Sequence, residues 1–286
     1  MSDPGNQSRL RSAEAWLPSP AVGVSFGLHI ACLLAFIAAP GRWVWVLVLL
    51  AADHILLAAF GLWPRSPLFG PNLVRLPAAG TSRGEVALTF DDGPDPAVTP
   101  YVLDLLDRHG ATASFFCIGR RVAAHPDLVR DIVRRGHSVE NHSLRHSYCF
   151  AFGGPLRLLR EVRQTQRVIG EIATAPRFFR APMGLRSPLL HPILTRAGLR
   201  YVSWTRRGRD GVSGDARAVL RRLTRELAAG DILMLHDGSC AKTGAGEPVV
   251  LAVLSALLDL LNRRGLRGVS LPMALISETG RFTVPA

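Results

Sequence analysis

The hydrophobic positions of the chain follow two patterns, and the change between them comes near residue 85. Two long apolar runs come first, Ala21–Ala39 and Trp43–Trp63, with only a Pro-Gly-Arg turn at residues 40–42 between them. Each run has roughly the 20 residues that an α-helix needs to cross a bilayer. Trp45 and Trp63 lie near the ends of the second run, where aromatic side chains favour the membrane–water interface. The pattern predicts a two-helix transmembrane hairpin; a hairpin buried inside a soluble protein is the alternative.

From residue 85 onward, short apolar runs alternate with amphipathic ones. The short runs predict strands at Val86–Phe90, Ala113–Cys117, His137–Glu140, Arg177–Arg180, Arg200–Trp204 and Ile232–Leu235. The amphipathic runs predict helices near Pro100–His109, Pro126–Arg135, Pro155–Ala173, Pro188–Ala197, Asp215–Ala228 and Val249–Arg263. Several of these helices begin with Pro and end at Gly, as helices commonly do. Repeated β-then-α units predict an α/β domain with a parallel sheet and outer helices.

The same patterns divide the chain into four regions. We expect a polar tail at residues 1–19, the membrane hairpin at 20–63, a Pro-rich linker at 64–84 and the α/β domain at 85–286. Arginines flank the outer ends of the hairpin, whereas only Arg42 lies in its turn, so the positive-inside rule favours both termini in the cytoplasm. The predicted location is therefore the inner membrane of a bacterium, as an integral protein with the domain on the cytoplasmic side.

Polar residues also occur inside the apolar runs. His29 lies in the first run and Asp53 in the second, and each is about twelve residues from Gly41 at the turn. Because both helices rise by the same distance per residue, the two side chains should lie at similar depth in the membrane. Polar groups at mid-depth are costly unless they are paired. We expect His29 and Asp53 to hydrogen-bond across the hairpin, either as internal glue or as a contact to a lipid-linked substrate.

Charge and cysteine content narrow the class of protein. The formal net charge is +12, and Lys242 is the only lysine, so the excess consists of arginine. A genome of high GC content explains the preference for arginine over lysine. The functional alternative is a basic surface that faces anionic headgroups or phosphorylated substrates. Basic blocks interleaved with aromatic residues are absent from the sequence, so nucleic acid is not a predicted partner. The four cysteines show no CxxC spacing, which argues against a disulfide framework or a cysteine zinc site.

Side chains capable of chemistry stand at the ends of the predicted strands, where parallel barrels carry their active sites. They are Asp91 and Asp92 after the first strand, His142 and His146 after the third, Arg180 after the fourth, Asp210 after the fifth and His236 after the sixth. Two histidines four residues apart can reach one ion if the segment forms a helical turn. Each feature alone is equally an ordinary polar turn or a chance pair. Together they are the groups needed for metal-assisted hydrolysis of an amide.

These strand ends also carry ordered sequence motifs. The chain has TFDDGP at Thr89–Pro94, HSLRH at His142–His146, RAP at Arg180–Pro182 and LHD at Leu235–Asp237. In these motifs the sequence closely resembles the polysaccharide deacetylase family, also called the NodB-homology or carbohydrate esterase family 4 group. The resemblance extends over roughly 85–270. It implies a distorted (β/α)7-type barrel behind the membrane hairpin and an enzyme that removes an N-acyl group, such as acetyl, from a sugar.

The resemblance also implies a role for each site residue. A divalent metal, usually Zn²⁺, would be held by Asp92, His142 and His146. The general base would be Asp91, oriented by Arg180; the general acid would be His236; and the backbone N–H of Met183 would bind the oxyanion. Asp210 is similar to an Asp of the family's fourth motif and would support the polar network, and Ser143 would stabilise the loop of the two histidines.

Three departures from the family pattern bear on the substrate. Met183 stands where the family usually has an aromatic residue, Gly211 stands where it has Trp, and the segment 205–209 is unusually basic. These changes remove ring surfaces on which a sugar chain would stack and add cations suited to phosphate. A short substrate such as a polyprenyl-phosphate-linked N-acyl sugar is therefore expected to contact Arg206 and Arg207. The alternative is that these arginines form a solvated face.

Three functions are consistent with the sequence as a whole. The first is a deacylase of a lipid-linked or membrane-proximal amino sugar. The second has the same chemistry but faces the periplasm and trims an exopolysaccharide or peptidoglycan. The third is an inactive membrane scaffold that binds a glycan or a protein, and the full set of site residues argues against it.

Overall fold

The computed structural model describes residues 18–275 and begins with a helical hairpin. Helix α1 (Pro20–Ala38) and helix α2 (Trp43–Gly61) pack against each other, and a single 3₁₀ turn at Pro40–Arg42 joins them. Both helices are long and apolar enough to cross a membrane. The rest of the described chain leaves their apolar side chains almost entirely uncovered. The two predicted helices are confirmed, whereas most of the polar tail lies outside the described residues.

The polar residues of the hairpin meet between the two helices, but in a different pairing from the one expected. The Ser25 hydroxyl donates to Asp53 Oδ2 across the hairpin at 2.6 Å. His29 Nδ1 bonds to the carbonyl of Ser25 at 2.8 Å and lies 3.9 Å from the Asp53 carboxylate, too far for a hydrogen bond. The prediction of a polar contact at equal depth is therefore right for Asp53, but its hydrogen-bond partner is Ser25.

The domain behind the hairpin is built on a curled sheet of eight parallel strands. They are β1 (Glu85–Asp91), β2 (Ser114–Cys117), β3 (Ser138–Asn141), β4 (Phe178–Phe179), β5 (Arg200–Tyr201), β6 (Arg206–Arg207), β7 (Ile232–His236) and β8 (Arg267–Val269). The strand order is β5-β4-β3-β2-β1-β7-β6, and β8 pairs with the first half of β1. The edge strands β5 and β6 follow each other along the chain, so residues 202–205 connect the two edges. The predicted α/β class and barrel-like curl are confirmed.

Helices cover the outside of this sheet. They are α3 (Ala78–Ser82), α4 (Thr99–Arg108), α5 (Gly119–Ala124), α6 (Pro126–Arg134), α7 (Pro155–Gly170), α8 (Leu190–Arg196), α9 (Ala216–Thr224), α10 (Val249–Arg263) and α11 (Leu271–Ala274). The main core lies between the sheet and α4, α6, α9 and α10, and is filled by aliphatic and aromatic residues of β1, β2 and β7. The short elements β6, β8, α3, α5 and α11 are additions to the predicted set.

The segment between the hairpin and β1 was expected to be a linker, and the structure shows it packed against the domain. Phe69 is fully buried, and Leu73 pairs with Val202 at the edge of the sheet. The buried guanidinium of Arg186 donates to carbonyl groups of this segment, those of Ser66, Phe69 and Gly70. Because these contacts tie its backbone to the sheet, the segment belongs to the domain structurally, and it also contains α3.

Candidate active site

The two adjacent carboxylates at the end of β1 both line one pocket. Successive residues of a regular strand point to opposite faces, but Asp92 adopts a left-handed φ of 73° that ends the strand and redirects its side chain. The Arg121 guanidinium donates to the Asp92 carbonyl at 2.9 Å and so fixes this turn. The next position requires glycine, because a Cβ atom on Gly93 would lie 2.1 Å from Asp237 Oδ2. Asp91 and Asp92 therefore converge as the sequence predicted.

The two histidines of the HSLRH motif reach the same pocket through an irregular loop. The segment does not form a helical turn, since Ser143 and His146 both adopt left-handed φ angles, 64° and 51°. The buried Glu161 carboxylate of α7 accepts hydrogen bonds from the amides of Leu144 and Arg145. The Ser143 hydroxyl accepts one from the His146 amide at 3.1 Å. The loop is thus held by Ser143, as the family resemblance implied, and by Glu161.

Asp92, His142 and His146 form a group that fits a divalent cation. One ligand atom of each lies within 4.8 Å of the others, and Asp92 Oδ1 is 3.3 Å and 3.1 Å from the Nε2 atoms of His142 and His146. Asp92 Oδ1 is buried and accepts no hydrogen bond of good geometry from the described chain. His142 Nδ1 bonds to the Arg180 carbonyl at 2.8 Å, which directs Nε2 into the pocket, as metal-binding histidines require. The donor set is that of a catalytic zinc site with open positions.

Electrostatics favour the metal-binding forms of Asp92 and His146; for His142, burial favours the neutral ring, but the charge of Asp91 and the contact with Asp92 outweigh burial and raise its pKa. Burial disfavours the Asp92 carboxylate, yet the close contact with His142 and its charge, and then the charge of His146, lower the Asp92 pKa to about 2. Burial, followed by the charge of His142, lowers the pKa of His146 to about 4. A deprotonated carboxylate and a neutral imidazole are the forms that bind a cation.

Asp91 is paired with a fully buried arginine. Arg180 Nη1 donates to Asp91 Oδ1 at 2.5 Å and to Thr89 Oγ1 at 2.9 Å, and Nη2 donates to the Ser203 carbonyl at 2.9 Å. The guanidinium lies 4.1 Å above the Phe116 ring. Because these contacts are with β1, β2 and the connection that follows β5, Arg180 fixes the position of the Asp91 carboxylate beside the metal-ligand group.

His236 ends β7 on the other side of the pocket and is paired with Asp210. The Asp210 carboxylate is fully buried, accepts the His236 amide at 2.7 Å and lies 3.0 Å from His236 Nδ1. Burial alone would lower the pKa of His236, but the hydrogen bond and charge of Asp210 outweigh burial and raise it to about 9. The imidazole is therefore held protonated, with Nε2 free to act as a proton donor.

Replacing Asp210 should change the pH dependence of the reaction. In Asp210→Asn the charge-assisted bond, worth about 1.5–3 kcal/mol, is lost, so the His236 pKa falls. We expect the basic limb of the kcat profile to move down by about 1–2 pH units. Asp215→Asn, at the exposed cap of α9, should leave the profile unchanged, and an unshifted limb in Asp210→Asn would contradict the role of His236 as the acid.

The same pair has a predictable effect on stability. Because the folded-state pKa of His236 lies at about 9, above its ordinary 6.5, its stabilising contribution is complete below pH about 6.5 and is lost as the pH rises through about 9. Chemical denaturation across this pH range measures the free energy of unfolding of the wild type and of Asp210→Asn. The wild type should be the more stable of the two at low pH, and the difference between them should shrink as the pH rises.

The basic segment after β5 separates into two kinds of arginine. Arg207 lines the pocket, its guanidinium lies 5.5 Å from the Trp204 ring, and its buried Nε has no hydrogen-bond partner in the described chain. Arg206, its neighbour on β6, instead donates to the buried Asp231 carboxylate at 2.8 Å and to the Glu226 carbonyl. The expectation that both arginines contact the substrate is wrong for Arg206, because strand alternation sends its side chain away from the pocket.

Met183 is a further predicted residue of the pocket, and several residues that sequence reasoning missed support the pocket without lining it. Met183 lines it from a turn at Pro182–Gly184, with a left-handed φ of 59° and a half-exposed side chain. Asp237, beside His236, is buried, accepts the Thr99 hydroxyl at 2.6 Å and has its pKa raised by burial to about 7. Asp237 could have been found from the sequence, because it directly follows the predicted site residue His236. Glu161, Asn141 and Arg121 support the site from helices and strands and give no local sequence signal.

Comparison with known proteins agrees with this pocket. The family model described as polysaccharide deacetylase matches residues 78–202. A peptidoglycan-N-acetylglucosamine deacetylase of Bacillus cereus is 32% identical over 199 residues, which is 69% of this chain and 88% of the relative. A chitooligosaccharide deacetylase of Sinorhizobium fredii is 36% identical over 69% of this chain and 94% of its own. The chain belongs to the polysaccharide deacetylase family.

A solved structure of the same family shows the likeness in three dimensions. The family 4 acetyl xylan esterase of Clostridium thermocellum, in complex with a cobalt ion, has a TM-score of 0.60 and 31% identity over 67% of this chain and 90% of its own. The polysaccharide deacetylase domain and the hydrolytic enzyme class predicted from the motifs are thereby confirmed. Asp210 and His236 lie beyond the segment matched by the family model, and the structure brings them to the same pocket.

Proposed function

We propose that this polysaccharide deacetylase is a metal-dependent enzyme that removes the acetyl group from an N-acetylated amino sugar held close to a membrane. The observation that carries the chemistry is the convergence, in one pocket, of a carboxylate base, a three-ligand cation site and a protonated histidine. The relatives are named as deacetylases of peptidoglycan N-acetylglucosamine and of chitooligosaccharides. Their names support an N-acetylglucosamine unit as the group on which this chain acts.

The side chains divide the reaction between two sides of the pocket. Asp91, fixed by Arg180, accepts the proton of the attacking water. His236, held protonated by Asp210, donates a proton to the sugar nitrogen as the C–N bond breaks. The backbone N–H of Met183 stabilises the oxyanion from the rim. A divalent cation held by Asp92, His142 and His146, Zn²⁺ by the character of its donors, would supply a Lewis acid for the amide carbonyl and an activated water.

Arg207 and the hairpin support one class of substrate. Arg207 presents a guanidinium to the pocket, which suits a phosphate. Helices α1 and α2 have the length and composition of membrane spans and leave their apolar faces uncovered. A polyprenyl-phosphate-linked N-acetyl sugar meets both features, since its phosphate lies next to the lipid. We place the hairpin in a bacterial inner membrane, with both of its ends on the cytoplasmic side.

Arg207 gives a prediction with an internal control. Arg207→Gln should raise KM for a polyprenyl-phosphate N-acetyl sugar by about 10–100-fold, because a hydrogen bond to a charged group is worth about 1.5–3 kcal/mol. KM for a neutral N-acetylglucosamine oligomer should not change. Arg209→Gln, an exposed neighbour, serves as the control. Equal KM changes for the two substrates in Arg207→Gln would remove the phosphate assignment.

The proposal as a whole is tested on the detergent-purified wild type. Metal content per chain is measured, and deacetylation is followed on a polyprenyl-phosphate N-acetyl sugar and on an N-acetylglucosamine oligomer. Turnover of the lipid-linked sugar alone supports the proposal. Turnover of the oligomer alone would favour a polymer-trimming enzyme, and a C-terminal topology reporter would then show on which side it acts. Absence of both metal and turnover, even after Zn²⁺ or Co²⁺ is supplied, would leave a binding scaffold.

A further inference from the structure

The hairpin is mounted directly on the rim of the catalytic pocket. The Gly61 carbonyl, at the end of α2, accepts the Arg186 amide at 3.0 Å, and a Cβ atom on Gly61 would lie 2.8 Å from the Arg186 carbonyl oxygen. Pro64 packs against Gly184, where a Cβ atom would meet it at 3.2 Å. The Ser203 hydroxyl donates to the Pro64 carbonyl. Because Gly184 lines the pocket, the end of α2 and the segment after it pack directly against the pocket wall.

This mount sets where a bilayer would lie relative to the pocket. Leu62 and Trp63, just past the end of α2, are 63% and 54% exposed, and Pro64 begins the docked segment. Tryptophan at the end of a span favours the interface between acyl chains and headgroups. The carboxyl edge of the sheet, where the pocket opens, therefore faces the level at which the hairpin leaves the membrane.

A second apolar surface emerges from the same edge of the sheet. Tyr148, Phe152 and Leu156 follow the metal-ligand loop, are 75%, 78% and 77% exposed, and are called here the apolar rim. Phe150, in the same loop, anchors it to the domain, since Phe150 is buried and its ring lies 5.8 Å from that of Phe179. Phe179 belongs to β4, and the turn that carries Gly184 follows directly after β4. The apolar rim and the end of α2 thus project from neighbouring strand ends.

The charges around the apolar rim suit one kind of surface. Arg145, Arg157 and Arg160 flank it on the loop and on the first turns of α7, and all three are exposed. Arg157 donates to the Ser147 hydroxyl at 3.0 Å, which keeps it against the loop. Large apolar side chains bordered by arginines are typical of segments that lie in the interface of a membrane with anionic lipids.

We infer that Tyr148, Phe152 and Leu156 insert into the interface of the bilayer beside the hairpin, so that the pocket opens onto the lipid headgroups. This inference rests on the proposed anchoring of α1 and α2 in a membrane. With two attachment points on one side of the domain, the pocket is held against the surface. A sugar attached to lipid through a phosphate then reaches Asp91 without leaving the membrane, whereas the interior of a long, unattached glycan has no comparable access.

A native cysteine at the tip of this loop allows a direct test. Cys149 is exposed, Cys32 and Cys117 are buried, and Cys240 is removed as Cys240→Ser. The full chain is labelled at Cys149 with a polarity-sensitive fluorophore and reconstituted in nanodiscs of phosphatidylcholine and phosphatidylglycerol that contain nitroxide-labelled lipid. The control carries the label at Asn262→Cys in a Cys149→Ser background, since Asn262 is exposed at the end of α10, near the opposite edge of the sheet.

Quenching by nitroxide lipid should be at least about twofold stronger at Cys149 than at Asn262→Cys, because only an inserted probe contacts acyl chains. Equal quenching at the two positions overturns the inference even if the enzyme is active. A protein that stays in solution without lipid or detergent overturns the anchor and the inference together.

A variant separates membrane contact from sugar contact. The triple substitution Tyr148→Ser, Phe152→Ser and Leu156→Ser should raise KM for the lipid-linked sugar in nanodiscs by about fivefold or more, since apolar area buried in the interface sets the strength of binding. Turnover of a soluble N-acetylglucosamine oligomer, or of an activated acetyl ester if the oligomer is not a substrate, should stay at the wild-type rate. A loss on the soluble substrate with normal quenching at Cys149 would assign the apolar rim to sugar binding instead.

Discussion

Asp91→Asn is expected to lower kcat by about 10²–10⁴-fold while the chain retains its metal. The substitution removes the group that accepts a proton from water, whose contribution is of this size. It leaves Asp92, His142 and His146 unchanged, and these are the residues whose ligand atoms converge. Metal content per chain, measured together with kcat on the same preparation, checks both halves of the prediction.

The same substitution has a second consequence that must be controlled. Arg180 is fully buried and pairs with Asp91 at 2.5 Å, so Asp91→Asn leaves a buried charge without its partner. The free energy of unfolding should fall by about 3–5 kcal/mol, and kcat is therefore measured well below the midpoint of thermal unfolding. Asp127→Asn, on the exposed side of α6, is the matched control and should change neither quantity. Loss of metal with activity in Asp91→Asn would make Asp91 a ligand rather than a base.

His146→Gln is expected to lose bound metal and activity together. Even residues that only support a metal ligand cost about 10–100-fold in affinity when they are replaced, and removing a ligand should cost more than the upper end of that range. His146 is the better choice of the two histidines, because its side chain is 17% exposed whereas that of His142 is 2% exposed. Replacement at His146 therefore disturbs the core less.

The comparison that decides this prediction is the dependence on added metal. In His146→Gln, kcat should recover in part at high concentrations of Zn²⁺ or Co²⁺, whereas Asp91→Asn should not recover at any concentration. His125→Gln, a histidine outside the pocket, is the control for changing imidazole to amide. Full metal content together with full activity in His146→Gln would show that His146 is not a ligand.

The site residues were predictable because they sit at the ends of strands with clear apolar runs. β1 and β7 are buried along their whole length, so both sequences are mostly apolar before they end in Asp91-Asp92 and in His236. The parallel arrangement then gathers these ends at one edge. The ordered motifs added the roles, which the residue types alone left open.

What the sequence missed depends on contacts between distant segments. The strands β6 and β8 have two and three residues, too few to show a period. The docking of 64–84 rests on Arg186, whose buried position could not be read from an arginine in a polar loop. The different directions of Arg206 and Arg207 required knowledge that β6 is a strand. Glu161 lies on α7 and accepts hydrogen bonds from a loop some 16 residues earlier in the chain, a contact that no local pattern indicates.

The first strand of the domain is also a neighbour of the last. β8 pairs Arg267, Gly268 and Val269 with the first half of β1, although every side chain that lines the pocket precedes residue 237. During synthesis, a chain extended that far would hold every residue of the pocket, while the first half of β1 would still lack its partner β8. Such long-range pairing slows folding, and the sheet is complete only once β8 has paired with β1. A truncation before β8 should therefore weaken a pocket that β8 never touches.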